Sequence, residues 1–182
     1  MALQFTTSYL EDALSLFRYY KLLAERAMAQ VRDEDLFAAL EEESNSIAII
    51  VKHMAGNMRS RWTDFLTTDG EKPSRDRDDE FEAAPASCEQ VMQLWESAWA
   101  IFFAAIEPLT EADLTRTVTI RGEPHSVMQA ISRQLAHYPY HVGQIVLLAR
   151  HFTRDGWQSL SVPRRGSAEF NRQVAEGEAS QR

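Results

Sequence analysis

An all-α fold, a four-helix bundle, is what the sequence predicts, on three observations. Four long segments carry apolar residues at helical spacing. One long, charged, non-periodic stretch joins the second segment to the third, as a crossover connection does in such bundles. Glycine and proline are scarce, 7 and 6 in 182 residues, which opposes a turn-rich β fold.

The first helix is expected over about 5–32. Tyr9, Ala13, Leu16, Tyr20, Leu23 and Ala27 form its stripe, and Ser8 with Glu11 makes a capping box unless the helix begins earlier. Asp33-Glu34-Asp35 interrupts the pattern, and Asp33 can cap a short turn through Leu36 and Ala39. The second helix is placed at about Ser46 to Leu66, with Ile47, Val51, Met54, Met58, Trp62 and Phe65 as its stripe. His53 lies on the flank of that stripe, with Asn57 one turn ahead. A flank residue can still face a second neighbour in a bundle.

Residues 67–86 form the crossover. Asp69-Gly70 is a turn signal, and Pro73 and Pro85 break any helix. The stretch reads as solvated, and its length means that it is either mobile or packed over a site. Arg59, Arg61, Arg75 and Arg77 could bind an anion, but the mixed charges around them read as a solvated face.

The third helix opens on the capping box Ser87-Cys88-Glu89-Gln90 and ends before Pro108. Its stripe is Val91, Leu94, Trp95, Ala98, Ile101, Phe102, Ala105 and Ile106. Trp62, Trp95, Trp99, Phe102 and Phe103 read as core. Thr110 to Asp113 gives one helical turn. The β-branched run Thr117 to Ile120 gives a short extended piece before the last helix, not a sheet. The fourth helix starts at the capping box Ser126 to Gln129 and fades near 151–153. Val127, Ile131, Leu135, Tyr138, Val142, Ile145 and Ala149 make its stripe. Gln134, His137, His141, Gln144 and Leu148 run along one flank. Residues 1–171 read as one domain and 172–182 as a frayed tail.

The bulk properties exclude several function classes. A net charge of -8 opposes nucleic acid as a partner. No apolar run is long enough to span a bilayer, and the N-terminal residues lack the pattern of a signal peptide. The one cysteine, Cys88, can form no internal disulfide, so a reducing cytoplasm is expected and the thiol reads as inert. There is no Gly-rich phosphate loop and no nucleophile elbow.

His137 and His141 carry the chemistry. Four apart, they stand one turn apart on one helix face, where two imidazoles can grip one metal ion. Pro139 between them is a simple kink or a device that adjusts their angle. The glutamate of a zinc protease is missing. His125 is about three turns from His137 and His151 nearly three turns from His141, too far to help. His53, mid-helix on another element, is the expected third ligand. The other reading of the pair is two partly exposed histidines that only hydrogen-bond Gln134, Gln144 and tyrosines. Asn57 lies near His53 or on the bundle surface.

Three stretches resemble the DinB-like superfamily, and the DUF1572 group of bacterial proteins as its nearest branch. They are SIAIIVKHMAGNM at 46–58, HYPYHVGQI at 137–145 and WQSLSVPR at 157–164. The resemblance covers about residues 5–171. It implies a DinB/YfiT-like four-helix bundle of up-up-down-down type, often dimeric, with a divalent metal held by three histidines. Those carry over to His53, His137 and His141, with zinc or nickel as the ion. Asn57, Gln134, Tyr140 and Gln144 are then candidates to orient ligands or substrate. The superfamily includes thiol-dependent S-transferases and a mycothiol-dependent maleylpyruvate isomerase, so the resemblance also implies a low-molecular-weight thiol as co-substrate. Three readings stay open: a metal-dependent transferase or hydrolase, a binding module without turnover, and a structural dimer.

Overall fold

The computed structural model describes residues 8–180. Four long helices frame it: α1 (Tyr9–Met28), α2 (Ile47–Trp62), α3 (Cys88–Ile106) and α4 (Val127–Thr153). A small hairpin, β1 (Thr117–Ile120) with β2 (Glu123–Ser126), precedes α4, and a short helix, α5 (Ser167–Ala175), follows it. Among the described residues no helix is long and apolar enough to cross a membrane.

Serine caps set the helix starts. Ser8, Ser46, Ser87 and Ser126 each accept a backbone N–H from the residue three positions on. At Ser126 the box is reciprocal through Gln129. The ends are less legible. α2 stops at Trp62, four residues short of the expected Leu66, because Thr63 turns extended and Asp64 takes a positive φ of 50°. α1 stops at Met28 and not Arg32, and the cap of the turn Asp33–Leu36 is Arg32 and not Asp33. Arg32 instead donates to Asp35 at 2.9 and 3.0 Å. α4 runs unbroken through Pro139.

α2 packs on α3 and on α4, and α4 packs on α1. Their shared centre is aromatic. Phe17 of α1 meets Trp99 and Phe102 of α3 and Tyr138 of α4, and Trp62 of α2 meets Phe102. The stripe expected on α1 is rotated. Leu10, Phe17, Ala24 and Met28 are buried beside Ala13 and Ala27, whereas Leu16 is exposed. The expected stripe of α2 is buried in full, and most of the helix's remaining residues are buried with it. That is why His53, on the flank, is 4% exposed.

The run Thr117–Ile120 does pair, contrary to the expectation of a lone extended piece. It is antiparallel to β2 with Thr117 opposite Ser126 and Ile120 opposite Glu123. The two-residue turn has Arg121 at φ 56° and Gly122 at φ 76°, the positive pair that matches strand twist. From the crossover, the Asp69 carboxylate accepts both turn amides, Arg121 N–H and Gly122 N–H, at 2.8 Å each. A partner some fifty residues away thus completes the hairpin, so the local pattern could not show it.

Candidate metal centre

The crossover is packed down at Gly70, Arg75, Glu80 and Phe81, while most of its other residues stay exposed, as a solvated connection would. Lys52 of α2 donates to the Asp79 carbonyl (2.6 Å), the Asp79 carboxylate (2.9 Å) and the Ala83 carbonyl (3.0 Å). This fastens a single turn, Asp79–Phe81, against α2 over His53. Phe81 lays its ring 4.6 Å from the His53 ring.

On the other side, Tyr138 fixes the rotation of α4. Its hydroxyl accepts from Trp62 Nε1 at 2.9 Å and donates to Asn57 Oδ1 at 3.2 Å, all inside the core. Tyr138 points inward, so His137 and His141, on the neighbouring flank, are turned toward α2. The three histidines meet there. His137 Nε2 is 3.4 Å from His53 Nε2 and 3.1 Å from His141 Nε2, and the possible ligand atoms of all three lie within 4.8 Å of one another.

Each ring is held by its other nitrogen. His53 Nδ1 donates to Glu80 Oε2 at 2.9 Å, His137 Nδ1 to Gln134 Oε1 at 3.1 Å, and His141 Nδ1 to Gln144 Oε1 at 2.8 Å. With the protons on Nδ1, three bare Nε2 lone pairs converge with no hydrogen between them. A shared cation satisfies all three. For imidazole bonds of about 2.0–2.1 Å, neighbouring nitrogens in a tetrahedral site stand roughly 3.3–3.4 Å apart. The two spacings that His137 makes, 3.4 Å to His53 and 3.1 Å to His141, lie close to that value.

The electrostatics keep His137 and His141 neutral. Burial first, then His141 and His53, then Arg75 and Arg61, push His137 down to about 3. Burial likewise lowers His141, against the Gln144 bond that would raise it. Imidazoles held neutral are imidazoles ready to ligate.

Glu80, which the sequence reading did not single out, is buried. Burial alone would raise its carboxyl, but bonds from His53 and Arg75 hold it below the usual carboxylate range. Arg75 Nε and Nη2 reach Glu80 Oε1 and Oε2 at 2.8 and 2.9 Å, and Arg75 Nη1 reaches Glu71 at 3.2 Å. Arg61 and Arg75 therefore do not lie on a solvated face. Arg61 is buried, and the side chain of Arg75 is enclosed by carboxylates.

The remaining expected residues separate. Gln134 and Gln144 hold ligand rings. Tyr140 is exposed, with its ring 5.0 Å from that of His141. Asn57 is buried and bonds Tyr138 rather than a histidine. His125 turns back on the Glu123 carbonyl, and His151 is exposed beside Phe152. Burial and the nearby Asp33 raise the Cys88 thiol, in keeping with an inert cysteine.

One sequence signal was available for a close approach here, a glycine inside the apolar helix α2, and only the structure names Glu80 as what approaches it. A Cβ on Gly56 would stand 2.1 Å from Glu80 Oε1 and 2.7 Å from Glu80 Cδ. In an ordinary helix interior Gly→Ala stabilises by about 1 kcal/mol. Here Gly56→Ala is expected to destabilise by roughly 1–3 kcal/mol, because the intruding methyl displaces a pinned carboxylate. Zinc affinity, read by competition with a chelator, should fall about tenfold as His53 loses its orienting partner. A variant that binds zinc as tightly as the parent and melts higher would show that the seat of Glu80 is immaterial.

The cluster opens on a cavity of about 750 Å³, lined on one side by the three histidines. A family model described as "Protein of unknown function (DUF1572)" matches residues 4–166. No curated protein matches the chain.

Proposed function

The chain belongs to the DUF1572 family, and from the histidine cluster we propose that it is a divalent-metal protein acting as a thiol-dependent transferase. The observation that carries this reading is the convergence of the three Nε2 atoms of His53, His137 and His141 at the wall of a cavity. Imidazole donors suit zinc and nickel. Three protein ligands beside open space are the pattern of a catalytic site rather than a closed structural one. When bound, the ion supplies a Lewis acid that lowers the pKa of a thiol or water reaching its open position.

The chain's own residues do the rest. Glu80, Gln134 and Gln144 hold the rings so that Nε2 faces inward. Phe81 and the crossover exclude water from the His53 side, and Tyr140 stands at the exposed rim beside His141. The cavity has room for a small molecule.

The finer architecture belongs to the same reading. The four long helices form a DinB-like four-helix bundle within the domain 1–171, and α5 carries the chain across the end of that domain into the tail 172–182. The protein works as a cytoplasmic homodimer on a small-molecule thiol, with no nucleic acid and no membrane. The single cysteine supports the compartment. Exposed Leu16, Tyr19 and Leu22 on one side of α1 supply apolar surface for a second copy.

The test is turnover. Zinc- or nickel-loaded protein should consume glutathione, bacillithiol or mycothiol in the presence of an electrophile, and metal-free protein should not. A loaded protein inert toward all three thiols reduces the reading to metal binding.

A further inference from the structure

Arg61 poses a question the metal does not answer. It is 7% exposed, and its Nε and Nη1 have no hydrogen-bond partner among the described residues. A guanidinium stays charged when buried, so an unpaired one is costly and calls for an occupant. Gly70 of the crossover leaves room for the guanidinium itself: a Cβ there would meet Arg61 Cδ at 3.0 Å and Nη1 at 3.3 Å, so Nε and Nη1 are enclosed while the side chain still lines the cavity.

The placement is regular. His53, Asn57 and Arg61 recur every four residues on α2, and Arg133, His137 and His141 do so on α4, so each helix carries arginine and histidine on one face. Both arginines line the same cavity as the histidines, along with Arg75, Arg77 and Arg121. Along the helix axes, Arg61 is about 12 Å from His53 and Arg133 about 6 Å from His137.

The arginines of this cavity are not equally matched by acids. Glu80 and Glu71 engage Arg75, Glu71 also meets Arg121 at 3.3 Å, and Asp78 stands 3.8 Å from Arg77. Arg61 and Arg133 have no carboxylate partner among the described residues. In a chain of net charge -8, a cavity with unmatched cations is selective for anions.

We propose that Arg61 and Arg133 form an oxyanion subsite beside the histidine cluster, so that the molecule bound there carries a carboxylate or phosphate several bonds from its reacting atom. The assignment of that oxyanion to the molecule converted at the histidines rests on the function proposed above. The subsite itself does not.

The test uses the full chain, metal-free, titrated calorimetrically with inorganic phosphate and separately with malonate. At least one should bind saturably at one site per chain. Arg61→Gln should weaken it at least tenfold, and Arg133→Gln, on the exposed rim and so without risk to folding, three- to tenfold. A preference for phosphate or for malonate identifies which oxyanion the site is built for. The same titrations on zinc-loaded protein separate the two readings. Arginine-dependent binding in protein that takes up no zinc keeps the subsite and removes the metal. Binding that requires zinc and ignores Arg61→Gln and Arg133→Gln overturns the subsite, as does the absence of saturable binding by either anion.

Discussion

Replacing His137 and His141 together with alanine is expected to take bound zinc or nickel from about one ion per chain to none, as measured by mass spectrometry of purified protein. One ligand, His53, would remain, and a single imidazole does not hold an ion against water and buffer. The fold should survive. His137 is only half-buried, and neither histidine anchors the aromatic centre, where Tyr138 faces Trp62 and Phe17. Metal-free parent protein holds three bare Nε2 atoms face to face, with His137 driven down to about 3 by burial and then by its neighbouring cations and histidines. Removing two of them relieves that crowding. The metal-free variant should therefore melt no lower than metal-free parent, whereas added zinc should raise the midpoint of the parent alone. If the histidines only hydrogen-bond, the outcome reverses: stability falls and metal content does not change. Equal metal in both proteins would remove the basis of the proposed function.

Replacing Glu80 with alanine is expected to lower stability by about 3–5 kcal/mol at neutral pH, the scale for stripping one partner from a buried ion pair. The carboxylate bridges Arg75 and His53, and its loss leaves the Arg75 guanidinium enclosed with only Glu71 to meet it. Because Glu80 is held below the usual carboxylate range, its contribution is present above the unfolded carboxylate pKa. It fades as pH falls through the lowered folded value. The gap between parent and variant, read from urea midpoints, should accordingly close in acid. Zinc affinity should drop 10- to 100-fold through loss of the bond to His53 Nδ1. A variant within 1 kcal/mol of the parent at neutral pH would mean that solvent already reaches Arg75.

Much of this was legible from local pattern. Ser8, Ser87 and Ser126 marked helix starts because a cap is a contact within four residues. The stripe of α2 and the flank of Gln134, His137, His141 and Gln144 followed from the period of one helix. The same period misled on α1, where Tyr9-Leu16-Tyr20 and Leu10-Phe17-Met28 are both apolar. Only the packing of Phe17 against Trp99 and Phe102 selects the second.

The histidine pair is intrinsic to the sequence, since four residues on a helix always share a face. His53 as the third member could be chosen by elimination and resemblance, but its approach to His137 depends on α2 and α4 packing with Tyr138 locked to Trp62 and Asn57. The rest of the site was decided by tertiary structure alone. Glu80, Phe81 and Arg75 lie in a stretch with no period, rich in mixed charge, and such a segment looks solvated until its destination is known. Arg61 looks like a surface cation until the crossover is laid over it. Periodicity and capping are short-range signals, fixed by the helical repeat. Burial of a charge is a long-range outcome, fixed by which distant segment closes over it and whether a partner comes with it.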